Sequence, residues 1–149
     1  MADHAHIVWP RCGAVNRVPS ERPASAARCG SCRHALFDAH PAEVDEAGFE
    51  RHIRSNSIPV LLDIWAPWCG PCRAMAPAYE RAAAALEPHV RLLKLNADEA
   101  PNVSAKLGVR GIPAMYLFRN GTAVAPTAGA MPADAIVRWT RDNLSLRNE

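Results

Sequence analysis

The chain has 149 residues, 49% of them apolar and 21% charged, with a formal net charge of +2 at pH 7. These values are typical of one globular domain with or without a small appendage, and they exclude a chain that is disordered or fibrous throughout. Neither half of the sequence is strongly basic and no stretch of 18 residues is apolar throughout, so we expect neither nucleic acid nor a membrane as a partner.

Residues 1–40 are predicted to form a separate N-terminal module. They contain three of the five cysteines, Cys12, Cys29 and Cys32, and almost no sustained apolar periodicity. A segment this small cannot close a hydrophobic core alone, so it needs a metal ion or a larger body on which to dock. The opening residues lack the uninterrupted apolar core of a secretory signal, and an odd cysteine count disfavours a secreted disulfide framework. We therefore expect a cytoplasmic protein.

Residues 41–149 are predicted to form the main domain, in which strand and helix patterns alternate. After a linker over 39–42, the predicted elements are a helix within 45–57, a buried strand over 59–66, a helix over 69–86 kinked at Pro77, a strand over 90–95, a helix over 99–107, strands over 114–118 and 122–125, and a helix over 131–146. Strand, helix, strand in this order implies a right-handed parallel crossover. Asn120-Gly121 between the last two strands indicates a two-residue hairpin. The sequence therefore predicts an α/β fold with a central mixed sheet.

Cys69 and Cys72 lie where the buried strand ends and the next helix begins. Two cysteines separated by Gly70 and Pro71 at a helix N-terminus can close a disulfide within one turn, and unpaired backbone N–H groups there favour the thiolate of the first. Cys69 is therefore the expected nucleophile, and Cys72 the residue that resolves the mixed disulfide. A structural disulfide or half of a metal site is the alternative, which a reducing compartment disfavours.

Asp63 is a carboxylate inside the apolar run Leu-Leu-Asp-Ile-Trp. Burial without a partner is costly and should raise its pKa, which suits a group that accepts and returns a proton near neutrality. The alternative is a core carboxylate that is satisfied by pairing with Lys94, and the two interpretations are compatible.

Residues 59–146 resemble the thioredoxin family, because PVLLDIWAPWCGPC is similar to the active-site strand and loop of that family. Further matches are Lys94, Gly111-Ile112-Pro113, the Asn120-Gly121 turn and Gly129. The resemblance implies a three-layer thioredoxin-like fold and exchange of a dithiol with protein disulfides, which needs no cofactor. It also implies two kinds of partner, which are disulfide-containing client proteins and an NADPH-dependent thioredoxin reductase.

The same resemblance implies roles for the residues around the two cysteines. Asp63 would help to deprotonate Cys72, with Lys94 and Trp65 in support. A cis bond before Pro113 would present the backbone of Ile112 to an extended substrate peptide. The residues implied to bind substrate are Trp68, Gly70, Pro71, Ile112, Pro113 and Gly129. Where the family commonly has Thr after the proline, this chain has Ala114 and lacks that hydroxyl.

The N-terminal cysteines resemble part of a zinc ribbon, and their flanking residues are similar to the N-terminal module of a thioredoxin subgroup called thioredoxin 2. The resemblance implies zinc on Cys12, Cys29 and Cys32, but the fourth cysteine would stand at position 9, where this chain has Trp9. A tetrahedral site would then need His4, His6 or His34 as its fourth ligand. The alternative is a module without metal, in which Trp9 replaces the ligand with apolar burial.

The predicted function is the reduction of protein disulfides by a thiol–disulfide oxidoreductase. The same chemistry run as an oxidase or isomerase is one alternative, because direction depends on the reduction potential. A different class of function is a metal-binding, redox-sensing module, in which the N-terminal cysteines respond to oxidation and the main domain only docks partners.

Overall fold

A computed structural model describes residues 4–9, 13–19 and 26–148 of the chain. The elements are β1 (His4–Val8), β2 (Val15–Pro19), β3 (Ala42–Val44), α1 (Glu46–Ser55), β4 (Val60–Trp65), α2 (Gly70–Leu86), β5 (Arg91–Asn96), α3 (Pro101–Leu107), β6 (Ala114–Arg119), β7 (Thr122–Ala128) and α4 (Ala133–Asn148). Strands β1 and β2 form an antiparallel hairpin, and the other five form one sheet in the order β3-β5-β4-β6-β7. Strands β3, β5 and β4 run parallel, while β6 and β7 are antiparallel additions, so the central sheet is mixed as predicted.

Helices cover both faces of this sheet and give three layers. On one face, Leu61 and Leu92 pack against α2 and α4. On the other face, Leu62 and Leu93 pack against α1 and α3. Successive residues of a strand point to opposite faces, so this pattern assigns Asp63, two residues after Leu61, to the α2 face.

Two local predictions of the sequence are confirmed. Asn120 and Gly121 join β6 to β7, and both have positive φ, 53° and 78°, as a two-residue hairpin requires. Helix α2 begins directly after Cys69 and runs to Leu86 with Pro77 inside it.

Other elements differ from the prediction. The N-terminal hairpin was not anticipated, because Ile7, Val8 and Trp9 are consecutive buried residues and show no strand-like alternation. The predicted linker over 39–42 is wrong at its last residue, where β3 begins and adds a short edge strand to the sheet. The helix predicted from Glu99 begins as a 3₁₀ turn over Ala97–Glu99, and α3 starts at Pro101.

The N-terminal module has a small apolar core and docks on the main domain. The buried residues of this core are Ile7, Trp9, Val18, Cys29, Leu36 and Phe37. Backbone N–H of Val8 donates to Oδ1 of Asn56 at 2.8 Å, and the backbone of His6 exchanges two hydrogen bonds with Ser57. Asn56 follows α1 and Ser57 precedes β4, so the module covers the end of the sheet at which β4 begins. In the described part of the chain, no helix is long and apolar enough to cross a membrane.

Candidate active site

Cys69 and Cys72 form a disulfide at the first turn of α2. Cys69 is the N-cap residue, with extended backbone, and its Sγ accepts a hydrogen bond from the backbone N–H of Cys72 at 3.2 Å. The Cα atoms are 5.3 Å apart, and the two residues are only 5% and 3% exposed. Gly70 and Pro71 between them are exposed and supply the first helical residues. The site therefore places two sulfurs at a helix N-terminus, where the backbone stabilises a negative sulfur.

The loop before β6 lies against the first of these sulfurs. The Ile112–Pro113 bond is cis, as the resemblance implied, and the carbonyl oxygen of Ile112 lies 3.8 Å from Cys69 Sγ. Gly129, with φ of +92°, donates its backbone N–H to the carbonyl oxygen of Pro113 at 2.9 Å. The end of β7 thus fixes the proline loop, and the structure brings Ile112, Pro113 and Gly129 together beside Cys69.

Two tryptophans flank the disulfide in different ways. Trp65, the last residue of β4, packs against the buried cluster that includes both cysteines. Trp68 is 67% exposed, and its Nε1 donates to both carboxylate oxygens of Asp98, at 3.2 and 3.0 Å. Sequence reasoning missed Asp98, because only the fold brings the turn after β5 to the active-site loop.

Asp63 is a buried carboxylic acid without an adequate partner. It is 2% exposed, and its Oδ1 has no hydrogen-bond partner. Burial raises its pKa to about 7, although the charge of Lys94 lowers it and the charge of Glu43 raises it further. No ion pair within 4.0 Å joins Asp63 to Lys94, and Lys94 Nζ instead lies 4.7 Å from the ring centre of Trp65. The alternative in which Lys94 satisfies Asp63 is therefore wrong, and Asp63 can hold or lose a proton near neutrality.

The N-terminal module contains two turns with matching backbone hydrogen bonds. In the second turn, Arg33 N–H donates to the Cys29 carbonyl and Cys29 N–H to the His34 carbonyl. In the first, Gly13 N–H donates to the Trp9 carbonyl and Trp9 N–H to the Ala14 carbonyl. The fifth residue of each turn has positive φ, 69° at Arg33 and 74° at Gly13. Trp9 therefore holds, in the first turn, the place that Cys29 holds in the second.

The described residues around these turns do not by themselves form a closed four-ligand zinc site. Trp9 is 5% exposed and its ring stacks on that of His34, with centres 5.8 Å apart. Cys12 and the side chain of His4 lie outside the described residues. Among the residues that are described, no group of three or more His, Cys, Asp or Glu could hold a metal ion.

Comparisons with known proteins agree with this geometry. The family model "Thioredoxin" matches residues 40–142. The chain belongs to the thioredoxin family. A second family model, "Thioredoxin 2, N-terminal", a zinc ribbon, matches residues 10–34, so the subgroup resemblance is confirmed as well.

Individual thioredoxins match over most of their own length. Thioredoxin C-3 of Corynebacterium nephridii is 39% identical over 93% of this chain and 94% of the relative, and the chloroplastic M-type thioredoxin of Chlamydomonas reinhardtii is 39% identical over 93% and 99%. Among solved structures, chloroplastic thioredoxin z superposes with a TM-score of 0.65 at 26% identity, covering 71% of this chain and 96% of the other. A mutant thioredoxin from Halobacterium salinarum NRC-1 gives 0.64 at 28%, covering 72% and 93%.

Family membership establishes the chemistry of the Cys69–Cys72 pair. The protein is a thiol–disulfide oxidoreductase that reduces protein disulfides through its Cys-Gly-Pro-Cys dithiol. Its partners are proteins that carry disulfides and a thioredoxin reductase that returns the dithiol to its reduced form.

Proposed function

We propose that Cys69 attacks the client disulfide and that Cys72 releases the client. The Cys69 thiolate forms a bond to one client sulfur, the client S–S bond breaks, and the other client sulfur leaves as a thiolate. Cys72 then loses its proton, attacks Cys69 Sγ and displaces the second client thiolate. The client gains two electrons and the protein ends with the Cys69–Cys72 disulfide that the structure holds.

Asp63 is the proposed acceptor of the Cys72 proton. Its burial and its raised pKa support this role, because a carboxyl that titrates near 7 is balanced between holding and releasing a proton at neutral pH. The proton that it accepts goes on to the departing client thiolate, so Asp63 ends the cycle as it began.

The proline loop is the proposed docking edge for the client. The Ile112 carbonyl, 3.8 Å from Cys69 Sγ, faces the position at which a client sulfur must arrive. An extended client segment adds to this loop as a strand, through backbone hydrogen bonds that are independent of sequence. Trp68, Gly70, Pro71, Pro113 and Gly129 form the proposed surrounding surface.

Trapping of the mixed disulfide tests the order of the two cysteines. In the Cys72→Ser protein the client remains attached to Cys69, because no second thiol displaces it. The Cys69→Ser protein is the matched control and should trap little client under the same conditions. Non-reducing electrophoresis of the reaction with a disulfide-containing peptide measures both, and equal trapping by the two variants would contradict the assignment.

The cellular setting is also part of this proposal. We infer that the reductase partner draws on NADPH and that the protein works in the cytoplasm as part of cellular redox homeostasis. A dithiol that reduces other proteins needs a reducing compartment and an electron source, and this requirement supports both inferences.

For the N-terminal module we propose that the protein carries well under one zinc per chain. The zinc ribbon family match over residues 10–34 favours a metal, and it also supports the alternative of a redox-sensing metal module. The buried indole of Trp9 at the position of a ligand argues against a closed site, because the remaining donors would have to recruit a histidine or water.

A further inference from the structure

Glu43 belongs to a row of charged residues across three strands. It lies on β3 opposite Lys94 of β5, and Lys94 lies opposite Asp63 of β4. Residues in register on neighbouring parallel strands project to the same face and are about 5 Å apart. The row therefore reads carboxylate, ammonium, carboxylate, and it runs from the exposed edge of the sheet to the buried acid of the active site.

Trp65 connects this row to the dithiol. It follows Asp63 by two residues on β4 and projects to the same face. Its Nε1 donates to Oε2 of Glu43 at 3.0 Å, its ring centre lies 4.7 Å from Lys94 Nζ, and its side chain packs on the buried cluster that includes Cys69 and Cys72. Glu43 thus touches a wall of the dithiol and faces the cation that faces Asp63.

The charges around the row leave Lys94 shared between two acids. Besides Glu43, the titratable groups near Asp63 are Lys94 and Tyr79 and, in the reduced protein of the proposed mechanism, the Cys72 thiol. Near Glu43 are Lys94 and Glu99, and a cavity of about 590 Å³ that Glu43 lines is also bordered by the charged or titratable groups Asp38, His40 and Arg91. Lys94 is the cation that both acids face within this row. If Glu43 draws the Lys94 ammonium toward β3, the distance from the ammonium to Asp63 grows, and its lowering of the Asp63 pKa becomes weaker.

We propose that Glu43 is a positioning residue for the exchange reaction, which competes with Asp63 for Lys94, anchors Trp65, and so holds the Asp63 carboxyl between its protonated and ionised forms near neutral pH. The inference rests on the proposed role of Asp63 as proton acceptor. The negative charge of Glu43 raises the pKa of Asp63, in agreement with this arrangement. Because Glu43 is exposed at the sheet edge, solvent screens its charge and the effect is modest.

The Glu43→Gln variant tests the proposal. Its amide oxygen still accepts the Trp65 N–H, so only the charge is removed. We expect the midpoint of the Asp63 titration, followed by ¹³C NMR of the labelled carboxyl in the full-length oxidised protein, to move to lower pH by about 0.3–0.5. The pH profile of disulfide exchange should move in the same direction. Glu50→Gln is the matched control, because Glu50 also pairs with a lysine, Lys106 at 3.3 Å, but on α1.

Two results separate this proposal from the proposed function. If Glu43→Gln leaves the Asp63 midpoint where Glu50→Gln leaves it, Glu43 does not act on Asp63 and the positioning role is overturned. If the midpoint moves while Asp63→Asn exchanges disulfides at the rate of the unmodified protein from pH 6 to 8, the coupling of Glu43 to Asp63 stands and the proton-acceptor role fails.

Discussion

Charge is buried for different purposes at the active site of the main domain and at the junction with the N-terminal module. At the active site, Asp63 is buried with one oxygen unpartnered, and among the described residues no cation lies within ion-pair distance of it. Only the more distant charge of Lys94 lowers its pKa. At the junction with the module, Arg91 and Glu87 are buried together, with side chains 2% and 3% exposed and 3.7 Å apart. Asp63 and Glu87 each leave one oxygen without a hydrogen-bond partner, but Glu87 has an opposite charge within 4.0 Å and Asp63 does not. We interpret the paired charges as anchors of the module and the unpaired acid as part of the chemistry.

Arg91 is bonded mostly to the module rather than to its own domain. Its guanidinium donates to the carbonyl oxygens of Leu36 at 2.8 Å and Val8 at 3.3 Å, and lies 4.4 Å from the centre of the Phe37 ring. Glu87 in turn accepts from the backbone N–H of Ala39 at 2.9 Å. Burial lowers the pKa of Arg91 to about 10 and raises that of Glu87 to about 7. The small apolar core of the module is therefore completed by polar anchors from the main domain.

Substitution of Arg91 should have the largest effect, because this residue holds the module on the main domain. Arg91→Ala removes the module's anchors and leaves Glu87 buried alone, which costs about 3–5 kcal/mol for a broken buried pair. The cost cannot exceed the free energy of docking, because detachment of the module lets water reach Glu87. We therefore expect the module to open and its proteolytic cleavage under native conditions to accelerate strongly, while disulfide reduction continues.

Arg138→Ala provides the control for this variant. Arg138 also pairs with an acid four residues away, Asp134 at 3.8 Å, but both side chains are more than two-thirds exposed. Exposed pairs of this kind contribute little, so cleavage of the module should be unchanged. Equal cleavage rates in the two variants would show that Arg91 does not hold the module.

Asp63→Asn tests the buried acid at the active site and should change the free energy of unfolding by an amount that depends on pH. The pKa of Asp63 is about 7 in the folded protein and 3.8 in its ordinary state, so folding favours the protonated acid. The stability that this group contributes is present below pH 4 and is lost as the pH rises towards 7. The neutral amide carries no such penalty, so the variant should be more stable at pH 8 by about 2–4 kcal/mol and nearly equal at pH 4.

Denaturant unfolding of both proteins across this range measures the difference. Other groups that titrate on folding, such as Glu87 and His52, are common to both proteins and cancel in the subtraction. A variant whose added stability is constant with pH would mean that Asp63 titrates alike in the folded and unfolded protein, so that burial does not raise its pKa. The same variant should exchange disulfides more slowly, so stability and rate move in opposite directions.

The active site could be predicted from the sequence more fully than the N-terminal module. The apolar run of β4 and the Cys69-Gly-Pro-Cys72 motif are local patterns, and both the fold and the position of the dithiol follow from them. The contact of Trp68 with Asp98 and the row that ends at Glu43 depend on which loops and strands become neighbours, which no local pattern records. The N-terminal hairpin was missed because Ile7, Val8 and Trp9 are buried in succession, so the end of β1 shows no strand-like alternation.

Trp9→Cys tests whether the module can return to a metal-based core. The backbone turn at Trp9 already matches that at Cys29. A thiol at position 9 would therefore give two Cys-x-x-Cys pairs, at 9/12 and 29/32, without a change of fold. We expect zinc to rise from well under one to about one per chain, measured by elemental analysis of the reduced, dialysed protein. Trp9→Ser is the control, which removes the indole without adding a ligand. Stoichiometric zinc in the unmodified protein would instead point to His4, His6 or His34 as fourth ligand.

Deletion of residues 1–40 should have the smallest effect on catalysis. The module meets the main domain at Asn56, Ser57, Glu87 and Arg91, near the beginning of β4 and β5, and His40 Nδ1 lies 2.6 Å from Glu80 Oε1 on α2. The dithiol follows the far end of β4, about 20 Å along a strand of six residues. Solved thioredoxins match over 93–96% of their own chains while covering only about 71–72% of this one, so the remaining domain has a precedent for folding alone. Deletion also exposes Arg91 and Glu87 to water together, so they remain as a surface ion pair. Arg91→Ala differs, because it leaves Glu87 buried without its partner. We expect reduction of insulin disulfides within about twofold of the full chain. A loss of tenfold or more in a folded deletion variant would mean that the module reaches the active site, and the division between a chemical region and a docked region would fail.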